Sequence, residues 1–177
     1  MSYKIVEKKM LNPTVFLMEV EAPLVARKAE PGQFVILRID EYGERVPFTV
    51  ADFDREKGTI TVIIQIVGKT TRDLAKLETG DELLDFAGPL GQPTPLEGKK
   101  KVAVIGGGLG TAIAYPQAKK LHELGADVTV ITGFRNKDLI ILEEELTKIA
   151  DKLIVATDDG SNGTQGFVTD MLEKEIL

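Results

Sequence analysis

Consecutive glycines follow a short apolar run in the second half of the chain, within the sequence VAVIGGGLG at residues 102–110. An apolar run that ends in glycines before a helical pattern predicts a strand, a tight turn and a helix. Such a turn brings backbone N–H groups and the positive end of a helix dipole close to a ligand phosphate. The segment therefore predicts a nucleotide-binding turn, and the alternative is that the glycines only allow tight packing.

The spacing of this turn differs from the usual dinucleotide fingerprint, G-x-G-x-x-G. Its glycines are Gly106, Gly108 and Gly110, and Thr111 stands where the third glycine would fall. The second strand also lacks the usual acidic residue at its end and runs into Gly-Phe-Arg at 133–135. Arg135 is either a surface charge or a cation beside the adenosine, where it could tolerate a 2′-phosphate, so that NAD and NADP both remain open.

A polar cluster follows the third predicted strand of this half, in the sequence TDDGSNG at 157–163. Ligands bind outside the carboxyl ends of the strands in open parallel sheets, and these residues are well placed to line such a site. The alternative is a helix-capping loop, because Asp, Ser and Asn also favour turns.

The composition excludes several classes of function. The chain has 22 Lys and Arg against 28 Asp and Glu, and this net charge of -6 gives no general attraction to nucleic acid or anionic membranes. It has no cysteine and one histidine, His122, so we expect no metal site, no disulfide and no Ser-His or Cys-His catalysis. No apolar stretch suits a membrane span or secretory signal, and we expect a cytoplasmic location.

The first half predicts a small antiparallel β-barrel. Short strands with alternating apolar residues are predicted at 14–21, 34–39, 46–53, 59–67 and 82–86. Turn sequences separate them at 31–32, 42–43 and 57–58. A proline-bearing segment at 92–95 suits a linker, and we place the first domain at 1–95.

The second half, at 99–177, predicts a doubly wound parallel sheet. Continuous apolar runs at 102–105, 128–131 and 153–156 are typical of strands covered on both sides. Helices are predicted between and after them at 109–124, 142–150 and 167–177. The alternation of strands and helices indicates an α/β domain that is incomplete at its C-terminal end.

Several motifs in order resemble the ferredoxin-NADP reductase superfamily of flavoproteins. They are RVPFT at 45–49, GKTT at 68–71, GPLG at 88–91, GGLGTA at 107–112 and TDDGS at 157–161. The chain is similar in particular to electron-transfer subunits of dihydroorotate dehydrogenase B and small subunits of NAD-dependent ferredoxin:NADP oxidoreductase, which are also called sulfide dehydrogenase-like. The resemblance covers the whole chain.

The resemblance implies FAD in the barrel and NAD(H) or NADP(H) in the second domain. Arg45 would neutralise the pyrophosphate, Phe48 would pack beside the flavin ring, and Thr49 would bond near flavin N5 as the residue closest to catalysis. The FAD ligands implied are Arg45, Pro47, Phe48, Thr49, Gln65, Ile66, Val67, Gly68, Thr70 and Thr71. The implied NAD(P) ligands are Gly107, Gly108, Leu109, Gly110, Thr111, Phe134, Arg135, Asp158, Asp159, Gly160 and Ser161.

The chemistry implied is hydride transfer between NAD(P)H and FAD, which needs no acid-base residue of the protein. Electrons would continue through a [2Fe-2S] cluster to or from a larger redox subunit. The cysteine-rich segment that binds this cluster in the family is missing, so we expect that the end at Leu177 is a truncation and that the fragment is impaired or inactive alone. The alternatives are a stand-alone ferredoxin or flavodoxin reductase and a non-enzymatic nucleotide-binding regulatory module.

Overall fold

The computed structural model describes residues 2–176. The chain divides into two compact units that meet in sequence between Thr94 and Pro95. We call residues 2–94 the barrel unit and residues 95–176 the sheet unit.

The barrel unit is a nearly closed antiparallel sheet with the strand order β6-β1-β2-β5-β4-β3-β7. The end strands β6 and β7 are joined through Leu84 alone, which brings the two ends of this order together. The strands are β1 Tyr3–Asn12, β2 Val15–Glu21, β3 Phe34–Arg38, β4 Val46–Asp54, β5 Thr59–Gln65, β6 Glu82–Leu83 and β7 Asp85–Leu90. Two short helices, α1 Pro23–Ala26 and α2 Lys69–Leu74, lie between strands.

Alternation along the strands fills the interior of the barrel unit. Every second residue of β5 faces inward, and Ile60, Val62 and Ile64 are at most 1% exposed. Burial of these aliphatic side chains is the main force that holds the strands in register. The other fully buried large side chains of this core are Ile5, Phe16, Met18, Val20, Val35, Leu37, Leu74 and Leu83.

The sequence did not predict β1, and it predicted β6 and β7 as one strand. The alternation of β1 is hidden in the sequence because one of its inward residues is charged. This residue is Lys8, and its aliphatic stem is buried beside the Phe16 ring. The ammonium group of Lys8 donates to the carbonyl oxygens of Ala75 and Leu77 at the end of α2. The predicted strand 82–86 splits at Leu84, where the chain changes its partner from β1 to β3.

The sheet unit contains a parallel sheet with the order β10-β9-β8. Gly106 of β8 lies against Thr111 of α3, whereas Gly133 of β9 lies against Val168 of α5. These glycines point to opposite sides of the sheet, so that helices cover both sides. The elements are β8 Lys101–Gly107, α3 Gly110–Glu123, β9 Asp127–Phe134, a 3-10 turn Lys137–Leu139, α4 Glu143–Thr147, β10 Lys152–Thr157 and α5 Val168–Ile176.

Two features of the sheet unit differ from expectation. The run 102–105 was expected to be covered on both sides, but Ile105 is 40% exposed because β8 is an edge strand of the described sheet. Helix α4 begins one residue later than the predicted 142–150, because Leu142 takes a left-handed φ of 60° immediately before it. It ends at Thr147, where Lys148 N and Ile149 N donate to carbonyl oxygens only three residues back. The last residue of the predicted helix 167–177 lies outside the described residues.

Within residues 2–176 no helix combines the length and apolar sequence that crossing a bilayer requires. The longest helix, α3, has 14 residues. The same described residues do not bring three His, Cys, Asp or Glu side chains together in an arrangement that could hold a metal ion.

Candidate functional site

Strand β4 and Arg45, the residue directly before it, present three of the expected flavin ligands on the outer side of the sheet. Alternation places Arg45, Pro47 and Thr49 on the side away from the core, while Phe48 packs against the core with Val50. The hydroxyl of Thr49 is thus on the surface that carries Arg45. Phe48, expected beside the flavin ring, contacts the barrel interior in this structure.

Arg45 belongs to a cross-strand row of charged side chains. Its Nη2 donates to Asp85 Oδ2 at 2.7 Å, and Arg38 Nε donates to the same oxygen at 2.7 Å. The Arg45 side chain is 61% exposed, which leaves it accessible to an anionic ligand. An open groove of about 530 Å³ borders Arg45 and Asp85, and its other lining residues are Tyr3, Ile36, Leu84, Phe86 and Ala87.

The segment that leads from β5 into α2 presents a mixture of outward and inward side chains. Gln65 is exposed and Val67 is 70% exposed, whereas Ile66 packs against the barrel core. A large apolar side chain as exposed as Val67 is suited to covering by a flat apolar ligand. The Cβ-less Gly68 has open space above it, which leaves its backbone accessible.

The two threonines of α2 have different partners. Thr71 Oγ1 accepts hydrogen bonds from the N–H groups of Val67 and Gly68, both at 2.9 Å, and is therefore used inside the protein. Thr70 Oγ1 donates to Glu44 Oε2 at 3.1 Å. The hydroxyl that was expected to donate to a flavin phosphate therefore already donates to a carboxylate.

The charges of α2 are paired along the helix. Asp73 accepts from Lys76 Nζ at 2.8 Å and from Lys69 Nζ at 2.9 Å. These hydrogen bonds, that of Lys76 first, lower the pKa of Asp73 from 3.8 to about 2. Lys69 at the start of α2 therefore faces Asp73, and its own pKa is raised by that contact.

The glycine turn of the sheet unit performs two separate tasks. A Cβ on Gly106 would lie 2.8 Å from Thr111 Cα, so glycine is required there for α3 to pack on β8. A Cβ on Gly107, Gly108 or Gly110 would meet nothing within 4 Å. Those three glycines line open space that side chains would otherwise fill.

The N-terminus of α3 faces this open space without a side-chain cap from the described residues. Thr111 N and Ala112 N already donate to Gly108 O at 3.2 Å and Leu109 O at 3.0 Å. The N–H groups of Leu109 and Gly110 are therefore the ones suited to a phosphate, which is the ligand that a helix N-terminus favours. Leu109 is half-buried at the cap position. Thr111, expected among the ligands, is fully buried, and its Oγ1 has no hydrogen-bond partner in the described structure.

The carboxyl ends of the three strands bring the other expected NAD(P) residues to the same sheet edge. Gly108 N donates to Gly133 O at 2.8 Å, and Asp158 N donates to Phe134 O at 2.9 Å. The Arg135 side chain is exposed beside them, whereas the Phe134 side chain is only 4% exposed and packs inside the unit. Phe134 therefore contributes backbone to this edge.

The loop after β10 is organised around Asn162, which the sequence analysis placed in the polar cluster at 157–163 but not among the NAD(P) ligands. Asn162 Oδ1 accepts from Thr157 Oγ1 at 2.8 Å, and its Nδ2 donates to Val155 O at 2.7 Å. Ser161 Oγ accepts from Lys137 N at 2.8 Å and so joins the loop to the segment after β9. The Ser161 side chain first, and then its backbone N–H, which donates to Asp159 Oδ1 at 3.0 Å, lower the pKa of Asp159.

Sequence reasoning also missed Glu44 and Asp85, the carboxylates that contact Thr70 and Arg45. Glu44 directly precedes Arg45, and this proximity in the sequence was the one available sign that Glu44 lies near the candidate flavin site. Asp85 is 40 residues from Arg45 in the sequence, so only the register of the sheet reveals their contact.

No family model matches the chain. A Clostridium beijerinckii protein described as uncharacterized, in the adh 3′ region, is 52% identical over 99% of this chain and 61% of its own length. The Thermotoga maritima homolog of the dihydroorotate dehydrogenase B (NAD(+)) electron transfer subunit is 44% identical over 97% of this chain and 60% of its own length. The Bacillus cereus electron transfer subunit of that enzyme is 34% identical over 96% of this chain and 67% of its own length.

The solved structure of an NADH-dependent reduced ferredoxin-NADP oxidoreductase superposes with a TM-score of 0.90 at 43% identity, covering 97% of this chain and 62% of that one. This match confirms the predicted fold class, a small antiparallel barrel followed by a parallel α/β sheet. The chain spans about 60% of the length of the first relatives given above. The chain belongs to the family of the dihydroorotate dehydrogenase B electron transfer subunit.

Proposed function

We propose that this chain is the FAD-binding and NAD(P)-binding part of an electron-transfer subunit that exchanges hydride between a nicotinamide nucleotide and a flavin. The observation that carries the proposal is the uncapped α3 terminus behind Gly107, Gly108 and Gly110, in a chain of this family. Relatives named as NAD(+)-linked electron transfer subunits support the same role.

The barrel unit would hold FAD on the outer side of β4 and the end of β5. Exposed Arg45 would pair with the diphosphate, because a guanidinium donates charge-assisted hydrogen bonds to phosphate oxygens. Thr49 would donate its hydroxyl beside the redox-active part of the flavin, and exposed Val67 would cover apolar ring surface. Thr70 would join them once Glu44 leaves its hydroxyl.

The sheet unit would hold the nicotinamide nucleotide at the carboxyl edge of its strands. The open glycine turn would let the diphosphate approach the N–H groups of α3. Arg135 and the exposed Asp158 and Asp159 lie at this edge and would contact the rest of the nucleotide. Arg135 is compatible with both NAD and NADP, so the nucleotide is decided by experiment.

Bound flavin supplies the two-electron chemistry, and the protein's contribution is to bind, orient and cover the reacting groups. None of the residues assigned here needs to give or take a proton. A larger redox subunit would receive or supply the electrons, because the relatives are named as subunits. A thiolate-bound iron-sulfur cluster is not proposed for these residues, which include no cysteine.

Anaerobic reduction tests the proposal. FAD-loaded protein is mixed with NADH or NADPH, and the visible absorbance of the bound flavin is followed. We expect bleaching by at least one of the two nucleotides, and the faster one identifies the preferred nucleotide. Bound flavin that stays oxidised with both nucleotides would contradict the redox role and would favour the nucleotide-binding module.

A further inference from the structure

Arg45, Arg38 and Asp85 form one row where β4, β3 and β7 lie side by side, and Arg45 directly precedes the first residue of β4. Leu37 of β3 pairs with Val46 of β4, so Arg38 and Arg45 are the next residues along that pair. Arg38 of β3 is also paired in register with Asp85 of β7. The sheet therefore places two guanidinium groups and one carboxylate side by side.

The three side chains in this row differ in their exposure to solvent. Asp85 Oδ2 accepts from Arg38 Nε and from Arg45 Nη2, each at 2.7 Å. The Arg38 side chain is only 20% exposed and that of Asp85 is 34% exposed, whereas that of Arg45 is 61% exposed. Arg38 and Asp85 are thus the fixed part of the row, and Arg45 is the part that a ligand can reach.

Two guanidinium groups on adjacent strands repel each other unless an anion lies between them. Asp85 supplies that anion and uses one terminal nitrogen of Arg45, while other N–H groups of the guanidinium fork stay available for a ligand. A long exposed arginine otherwise loses much rotamer freedom when it binds. Because Asp85 is itself held by Arg38, its hydrogen bond restricts the rotamers of Arg45 before a ligand binds, and this lowers the entropy lost on binding.

We propose that Asp85, fixed by Arg38, is a positioning residue that orients the Arg45 guanidinium for the diphosphate of FAD. This inference rests on the proposed function, since it assigns the ligand of Arg45 as FAD. It differs from the role of Glu44, which accepts from Thr70 and has no contact with Arg45 among the hydrogen bonds of the described residues.

A double-mutant cycle tests the inference on the whole chain. FAD dissociation constants are measured by quenching of flavin fluorescence for the unmodified protein, Asp85→Asn, Arg45→Ala and the double variant. We expect Asp85→Asn to weaken FAD binding about five- to tenfold, as for a partly lost charge-assisted hydrogen bond. In the Arg45→Ala background the same substitution should have no further effect, because Asp85 acts through Arg45.

Controls separate positioning from a general structural role. Asp85→Glu keeps the carboxylate and should restore most of the affinity. Riboflavin lacks the diphosphate, so Asp85→Asn should leave its binding unchanged, whereas a distorted barrel would weaken both ligands. Glu30→Gln breaks the comparably exposed Glu30–Arg55 pair of the same unit, which joins these residues at 2.6 Å, and should not change FAD binding.

Three results would overturn the inference. Equal affinity of Asp85→Asn and the unmodified protein would show that Arg45 needs no support, and tighter binding would show that Asp85 competes with FAD. A full effect of Asp85→Asn in the Arg45→Ala background would show that it does not act through Arg45. An unmodified protein that binds no FAD would instead contradict the proposed function itself.

Discussion

At the scale of single residues, carboxylates contact two of the expected flavin ligands, and they differ in position and consequence. Asp85 lies within the sheet and is fixed by Arg38, whereas Glu44 lies in the loop before β4 and accepts only from Thr70 among the described contacts. Thr70 is expected to bind a flavin phosphate, so the carboxylate of Glu44 beside its hydroxyl would lie close to the negative diphosphate. Glu44 should therefore oppose FAD binding, in contrast to Asp85.

We expect Glu44→Gln to bind FAD about threefold more tightly, because removal of a unit charge some 6 Å from another is worth roughly 0.7 kcal/mol in water. The increase should shrink as salt is added, since exposed charges are screened. Fluorescence quenching at low and high ionic strength measures both effects. Glu41→Gln removes the same charge from the same loop and serves as the matched control. Weaker binding by Glu44→Gln would mean that Glu44 supports the site.

Sequence patterns selected candidate site residues but did not predict the orientation of their side chains. The order of motifs led to Arg45 and to the glycine turn, which are exposed or open in the structure. The same patterns did not show that Phe48 and Phe134 pack inward. Orientation depends on which neighbours cover each strand, and a local motif does not contain that information.

At the scale of elements, the turn between β8 and α3 combines a packing glycine with glycines that border open space. Gly106 permits contact with Thr111, and its replacement would force backbone atoms apart. Gly107, one residue later, has open space above it and no positive φ. Substitutions at the two positions can therefore separate an effect on stability from an effect on the proposed nucleotide binding.

We expect Gly106→Ala to lower the free energy of unfolding by about 1–3 kcal/mol, the usual cost of overpacking. Gly107→Ala should leave unfolding almost unchanged but weaken NAD(P)H binding several-fold, because its methyl group would occupy the space of the diphosphate. Denaturant unfolding and nucleotide titration of both variants measure the two effects. Equal nucleotide affinity of Gly107→Ala and the unmodified protein would show that the diphosphate does not bind at this turn.

The predicted strands agree with the structure where the alternation of apolar and polar residues matches the alternation of buried and exposed side chains. Strands β2, β3, β4 and β5 follow the predicted runs closely, because each has one buried and one outer side. Strand β1 was missed because the buried stem of Lys8 ends in an ammonium group that bonds to carbonyl oxygens of other segments. No local pattern reports a contact with residues so far along the chain.

At the scale of the whole molecule, the chain joins two units that each have their own sheet and buried residues. Each unit carries one of the two candidate nucleotide sites. The family relatives are longer, and this chain corresponds to about 60% of the first of them. In the proposed function, the barrel unit must bind flavin before any electron transfer can occur.

The stoichiometry of FAD binding therefore measures whether the barrel unit holds a flavin. The purified chain is titrated with FAD by calorimetry, and circular dichroism verifies that the protein is folded. We predict saturable binding of one FAD per chain, with weaker binding by Arg45→Ala. A folded protein that shows no saturable binding of FAD would contradict a flavin site in the barrel unit.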